Sequence, residues 1–235
     1  MSALDELDPE FAAAFRELAA IPAAGGALDP KVRAFIGFAV AISCTHLHRE
    51  SAAAQAREAF THGATVAELT DVAELAMLLG VHTMTLAGPL LAEELTAAGH
   101  DLPEALTPAQ ERIRRQYVAD RGLLPPPLEP VLRLDEDYID AYRTMSSIPI
   151  RRTNLDPVVA ELVVTALDAA TTHLHATGTR AHIRNALRLG ATPAQILAAL
   201  EIASTLAVSG TLLGFEEILR ARDQLNVSPP STVST

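Results

Sequence analysis

The chain has 235 residues, of which 49% are hydrophobic and only 4% aromatic. This composition favours helices packed through Ala, Leu, Val and Ile. The formal net charge of −11 disfavours nucleic-acid binding, because such a surface repels a phosphate backbone.

The N-terminal segment is acidic and lacks the basic and then apolar run of a secretory signal. The first clear helix signal is Asp29-Pro30, a cap residue followed by Pro at the first helical position. That helix is predicted to end near Thr45–His48, and the next one at Gly63. Thr65, with Glu three residues later, then has the pattern of a capping box.

The longest apolar stretches are interrupted by polar residues well before the roughly 18 residues that a membrane span needs. We therefore expect a soluble, cytoplasmic protein without membrane partners. A charged helix capped by Thr107 follows, and then the Pro-rich segment 123–130, which is typical of a stiff linker. The last ten residues, 226–235, are expected to be disordered.

The sequence aligns with itself without a gap at an offset of 127 residues. Between residues 28–65 and 155–192, 15 of 38 positions are identical, far more than chance would give. The predicted fold class is all-α, with two tandem helical units forming a pseudo-dimer. The predicted division is a first unit at 1–122, a Pro-rich linker at 123–133, a second unit at 134–225 and a tail at 226–235.

The segment RAHIRNALRLGATPAQILAALEIAS resembles the signature helix pair of the carboxymuconolactone decarboxylase and alkylhydroperoxidase D superfamily. The resemblance implies a functional Glu at Glu161 and a functional His at His182. The peroxidase branch carries C-x-x-C-x-x-x-H, whose two Cys positions are His175 and Gly178 here. With one cysteine in the chain, Cys44, a dithiol peroxidase mechanism is excluded within a chain.

The resemblance implies a cofactor-free lyase, a decarboxylase or isomerase that acts on a small carboxylated carbonyl compound or lactone. His182 is the candidate acid/base, and Glu161 is its candidate partner. His175 is a candidate for a second proton or for a hydrogen bond to an enolate oxygen. The first unit has Ala34 and Gln55 at the Glu and His positions, so we expect the catalytic centre in the second unit only.

The tetrapeptide THLH occurs in both units and leaves alternatives open. A structural role is favoured because it also occurs in the unit without the Glu and His; one version has His46 and His173 capping helix ends. The sharper alternative is a transition-metal site, such as zinc, formed by His173, His175, His182 and Glu161. It requires a helix break at THLH, because residues two apart on a helix point about 200° apart. A non-catalytic scaffold or ligand-binding protein is the third alternative.

Three further residues are candidates for substrate binding: His173, and Arg151 and Arg152, whose guanidinium groups match a carboxylate. For the two arginines, a solvated pair in a linker is the competing interpretation. Cys44 is expected to pack as a small hydrophobic residue. The resemblance also implies a homo-oligomer, with a trimer favoured, since the long apolar helices need to be covered.

Overall fold

The computed structural model describes residues 2–152 and 154–225, and within these ranges it contains helices and no strand. The predicted all-helical class is therefore confirmed for the described chain. The predicted disordered tail, 226–235, lies outside the described residues. The first half contains six α-helices: α1 (Ala3–Leu7), α2 (Pro9–Ala24), α3 (Pro30–Ile42), α4 (Arg49–Thr61), α5 (Val66–Ala76) and α6 (Val81–Ala97).

A separate helix, α7 (Pro108–Arg121), connects the first half to the rest of the chain. Two 3-10 turns lie at Met77–Gly80 and Pro126–Leu128. The second half contains seven helices: α8 (Glu129–Leu134), α9 (Glu136–Ser146), α10 (Ile148–Arg152), α11 (Pro157–Ala169), α12 (Ala176–Arg188), α13 (Pro193–Thr205) and α14 (Val208–Leu225).

The helix ends follow the signals in the sequence. Asp29 and Asp156 each accept the backbone N–H two residues later, at 2.8 Å. Gly63 and Gly190 adopt φ of 80° and 101°, the left-handed conformation that ends a helix at low cost. Capping boxes, in which the side chains of the cap and third helical residue bond reciprocally to the backbone, are present at Thr65, Thr107 and Thr192.

The helices recur at the offset that the sequence predicts. Helices α2, α3, α4, α5 and α6 begin 127 residues before α9, α11, α12, α13 and α14, respectively. Leu47 and Leu174, also 127 apart, share a left-handed φ of 50° and 51°. A non-glycine residue rarely adopts this conformation, so even the unusual backbone positions recur in both halves.

Both halves contribute to one main core. Helix α3 packs on α4 and α5, α11 packs on α12 and α13, and α3 and α11 contact each other. Phe35 and Ile36 from the first half and Leu162 and Val163 from the second are fully buried in this core. The two halves therefore form a single packed body.

The predicted linker at 123–133 is packed rather than exposed along its whole length. It contains the 3-10 turn Pro126–Leu128 and the first residues of α8. Leu128 and Leu132 are fully buried in a second apolar cluster between α7, α8 and α9. The division of the chain into domains stays a prediction, but this segment forms part of a wall rather than a free spacer.

Two stretches, Val66–Ala97 and Pro193–Leu225, are long and apolar enough to cross a membrane by length and composition, with mean hydropathy of 1.6 and 1.8. Each consists of two α-helices with a break between them. Leu75 of the first stretch and Ala199 of the second are buried in the main core. Core helices of a helical protein satisfy the same length and composition criteria.

Candidate active site

Glu161 on α11 and His182 on α12 lie within hydrogen-bond distance, with Nδ1 of His182 2.7 Å from Oε2 of Glu161. Asn185, one turn after His182, donates from Nδ2 to the other carboxylate oxygen of Glu161 at 3.4 Å. Because an ionised carboxylate only accepts hydrogen bonds, this arrangement places the proton of neutral His182 on Nδ1. The lone pair is then on Nε2, which faces away from Glu161.

His182 separates two cavities and lines both. The smaller, about 170 Å³, also contains Glu161. The larger, about 300 Å³, contains His82, Asp168 and His175. A proton held by His182 is therefore accessible from a cavity of small-molecule size.

Asp168 lies on the far side of His182 from Glu161 and was not predicted from the sequence. Its side chain is 1% exposed, and neither carboxylate oxygen has a hydrogen-bond partner among the described residues. Oδ2 lies 4.0 Å from Nε2 of His182. Burial raises the pKa of Asp168 from 3.8 to about 6, and the charge of Glu161 adds to this rise while His182 opposes it.

His82, from α6 in the first half, completes the group around Asp168 and was also missed. Its ring stacks on that of His175 with centroids 3.6 Å apart. Its Nδ1 lies 2.6 Å from Nε2 of His173 and 3.8 Å from Oδ1 of Asp168. Burial, and then the neighbouring imidazoles, lower the pKa of His82 to about 3, and burial also lowers the pKa of His173 and His175. These rings are therefore neutral at neutral pH.

The repeated THLH motif has a structural role that accounts for its presence in both halves. Nδ1 of His48 accepts the backbone N–H of Ser51 at 3.2 Å, and Nδ1 of His175 accepts that of Gly178 at 3.1 Å. Each imidazole thus caps the N-terminus of the helix that follows, α4 or α12. His175 also lines the larger cavity, whereas no such set of polar groups surrounds His48.

The predicted capping by His46 and His173 is wrong. Nε2 of His46 is buried without a partner among the described residues, and the ring of His173 contacts His82. The chain does break at THLH, where α11 ends at Ala169 and α12 begins at Ala176. Cys44, expected to be packed, is exposed.

The two halves differ at the positions that form the site. The site residues Glu161, Asp168, His182 and His82 have, at the offset of 127 residues, the counterparts Ala34, Ala41, Gln55 and Ser209. Four polar groups are thus replaced together, while the cap position is His in both halves. Since His82 belongs to the first half, the larger cavity is built from both halves rather than from the second alone.

The arginines predicted to bind substrate do not line either cavity. Arg151 is exposed, and Nη1 of Arg152 pairs with Glu74 at 2.8 Å and with the buried Asp71 at 3.3 Å. Helix α10 ends with these arginines beside α5, away from the Glu161–His182 pair. Arg121, at the end of α7, lines both cavities instead.

The structure brings together one group able to hold a metal ion among the described residues. His82, Asp168 and His175 each offer a ligand atom, and these atoms lie within 4.8 Å of one another. Of the four ligands predicted from the sequence, only His175 belongs to this group. Glu161 and His182 bond to each other instead, and His173 joins the group only through His82.

Comparisons with known proteins give two matches of different extent. The model of the carboxymuconolactone decarboxylase family matches residues 136–221. A crystal structure from Burkholderia xenovorans LB400, provisionally named a gamma-carboxymuconolactone decarboxylase subunit, is 36% identical and has a TM-score of 0.90. The match covers 94% of this chain and 90% of that one. No curated protein matches the chain.

Proposed function

The chain belongs to the carboxymuconolactone decarboxylase family, and we propose that it is a decarboxylase-type lyase acting on a small carboxylated lactone or carbonyl compound. One observation carries the proposal: His182 is bonded to Glu161 at 2.7 Å while its ring borders an open cavity. A filled core at this position would favour a non-catalytic scaffold. The name given to the Burkholderia protein makes carboxymuconolactone the first substrate to test.

The proposed reaction uses the pair to move one proton. The C–C bond to the substrate carboxylate breaks, carbon dioxide leaves, and the electron pair passes into the adjacent carbonyl group as an enolate. His182 in its cationic form then donates a proton to the carbon, which completes the exchange of a carboxylate for hydrogen. Glu161 stabilises that cation and holds the ring orientation, as a carboxylate beside an imidazole does.

Arg121 is proposed to bind a carboxylate or the enolate oxygen of the substrate. It lines both cavities, and its Nη1 donates to the backbone oxygen of Ser146 at 3.0 Å, which fixes the guanidinium group. Guanidinium groups bind carboxylates through two parallel hydrogen bonds. His175 borders the same cavity and is proposed as a second hydrogen-bonding group for the enolate. Arg121 takes over the role that the sequence assigned to Arg151 and Arg152.

The domain organisation is proposed to be two tandem units that form a pseudo-dimer, since backbone and helix starts recur at one offset. We further propose a cytoplasmic homo-oligomer, a trimer, with no nucleic-acid or membrane partner. Large apolar side chains are exposed on α6 and α14 and need a partner surface: Leu86, Leu90, Leu91, Leu213 and Ile218. Light scattering that gives a monomer at micromolar concentration would contradict the trimer.

Carbon dioxide release from carboxymuconolactone in deuterated water tests the proposed reaction. We expect stoichiometric carbon dioxide and one solvent-derived deuterium on the carbon that lost the carboxylate. If the first substrate is inert, a panel of small β-keto acids and carboxylated lactones follows under the same readout. A protein that releases no carbon dioxide from any of them would leave the scaffold alternative in its place.

A further inference from the structure

Asp168 has an environment that the fold alone does not explain. Its carboxylate is 1% exposed, and both oxygens lack a hydrogen-bond partner among the described residues. Buried charged groups are almost always paired or bound to a metal, because burying an isolated one is very costly. The counterpart in the first half is Ala41, which is fully buried in α3. This helix position therefore does not need a carboxylate for packing.

The atoms around Asp168 are spaced for a shared ion rather than for hydrogen bonds. Nδ1 of His82 is 3.8 Å from Oδ1, and Nδ1 of His175 is 4.0 Å from Oδ2. These distances exceed hydrogen-bond lengths. Two ligands bound to one zinc ion at about 2.0–2.2 Å lie roughly 3–4 Å apart. A small cation between the three side chains would satisfy both carboxylate oxygens.

We propose that His82, Asp168 and His175 bind a divalent transition-metal ion, such as zinc, beside the larger cavity. Two imidazoles and one carboxylate suit zinc or iron, whereas magnesium and calcium prefer oxygen ligands. Three protein ligands leave a coordination position open, as in catalytic zinc sites. The site goes beyond the proposed function, because the proton transfer assigned to His182 and Glu161 does not depend on it.

Neighbouring residues leave space for the ion and orient its ligands. A Cβ on Gly178 would overlap Asp168, so glycine keeps the carboxylate clear at this point. His173 lies 2.6 Å from Nδ1 of His82 and holds that ring in place, as groups behind metal ligands commonly do. Nε2 of His182 lies 4.0 Å from Oδ2 of Asp168. The ion would therefore sit next to the proposed proton donor, on the side away from Glu161.

The first half provides an internal control for the proposal. His48 caps α4 as His175 caps α12, but Ala41 and Ser209 stand where the second site has Asp168 and His82. A site that needs all three ligands can form only once in the chain. One ion per chain is therefore the expected stoichiometry.

The test is a zinc titration of tag-free, chelator-stripped protein by calorimetry, with thermal unfolding followed in parallel. Wild type is expected to bind one ion per chain and to unfold at a higher temperature with zinc. Asp168→Asn and His175→Asn are expected to weaken zinc binding by at least about 10-fold. Asn is a favourable helix N-cap, so His175→Asn removes the imidazole while α12 keeps its cap. The matched variant His48→Asn is expected to bind zinc as wild type does.

The outcomes separate this site from the proposed reaction. His182→Gln is expected to lose carbon dioxide release and still bind one zinc ion. Wild type that does not bind one equivalent of zinc would overturn the proposal. So would Asp168→Asn and His175→Asn variants that bind zinc as tightly as wild type, with circular dichroism showing that both are folded.

Discussion

Replacing Asp168 by Asn should stabilise the metal-free protein. The carboxylate is buried with no hydrogen-bond partner among the described residues, and burial raises its pKa from 3.8 to about 6. Each pKa unit corresponds to about 1.36 kcal/mol, so the charged form costs the folded state about 3 kcal/mol at high pH. Asn keeps the size of the side chain and removes the charge. The expected gain in free energy of unfolding is up to about 3 kcal/mol.

The sign of the pH dependence follows from the raised pKa. Because the folded state holds the proton of Asp168 more tightly than the unfolded state, the cost is complete above the folded pKa of about 6. It shrinks as the pH falls and disappears well below the unfolded pKa of 3.8. The stability difference between Asp168→Asn and wild type should therefore be about 3 kcal/mol at pH 8 and roughly half of that at pH 5.

Urea unfolding of both proteins at pH 8 and pH 5, with a chelator present, measures this difference. Comparing the two proteins at each pH isolates Asp168 from the other titrating groups, including the histidines around it. An Asp168→Asn protein that is no more stable than wild type at pH 8 would refute the reasoning. The carboxylate would then have a partner that compensates for its burial.

Three further substitutions test the site and its supports. His48→Ala should lower the free energy of unfolding by about 1 kcal/mol in urea, because it removes the N-cap of α4. Arg121→Ala should raise KM for a carboxylated substrate about 10-fold or more, whereas Arg152→Ala, which breaks a pair outside the cavities, should leave KM unchanged. Gly178→Ala should lower the thermal unfolding midpoint, because its Cβ overlaps Asp168; the double variant with Asp168→Ala should recover part of the loss.

Much of the helical framework was predictable because its signals are local. Asp-Pro starts, capping boxes and terminal glycines act within a few residues, and the structure has the predicted caps at Thr65, Thr107 and Thr192. The hydrogen bond between Glu161 and His182 joins neighbouring helices whose motif the family resemblance supplied. Its catalytic role stays a prediction.

The rest of the site depends on tertiary packing that no local pattern encodes. His82 enters the cavity from the first half, and Arg121 from the helix between the halves. Asp168 did have a detectable signal: it follows Glu161 by seven residues, two helical turns, and so lies on the same helix face. Its counterpart is Ala41, as that of Glu161 is Ala34. Extending the comparison of the two halves along α11 would have identified it.

The Pro-rich segment shows the opposite error, in which a local signal was interpreted too far. Three consecutive prolines at Pro125–Pro127 exclude a regular helix at that point, and the chain forms a 3-10 turn there. The same residues line the larger cavity, and Leu128 is fully buried. Sequence composition indicated the lack of helix but not the tertiary contacts that make this segment part of the site.

The rate of carbon dioxide release by His182→Gln, compared with wild type, tests the central claim most directly. Gln is the residue that the first half has at the equivalent position, Gln55, so the fold has a precedent for it. With a substrate that wild type decarboxylates, we predict a fall in kcat/KM of about 10²- to 10⁴-fold, the usual contribution of a general acid or base. A folded His182→Gln protein with the kcat/KM of wild type would contradict the account.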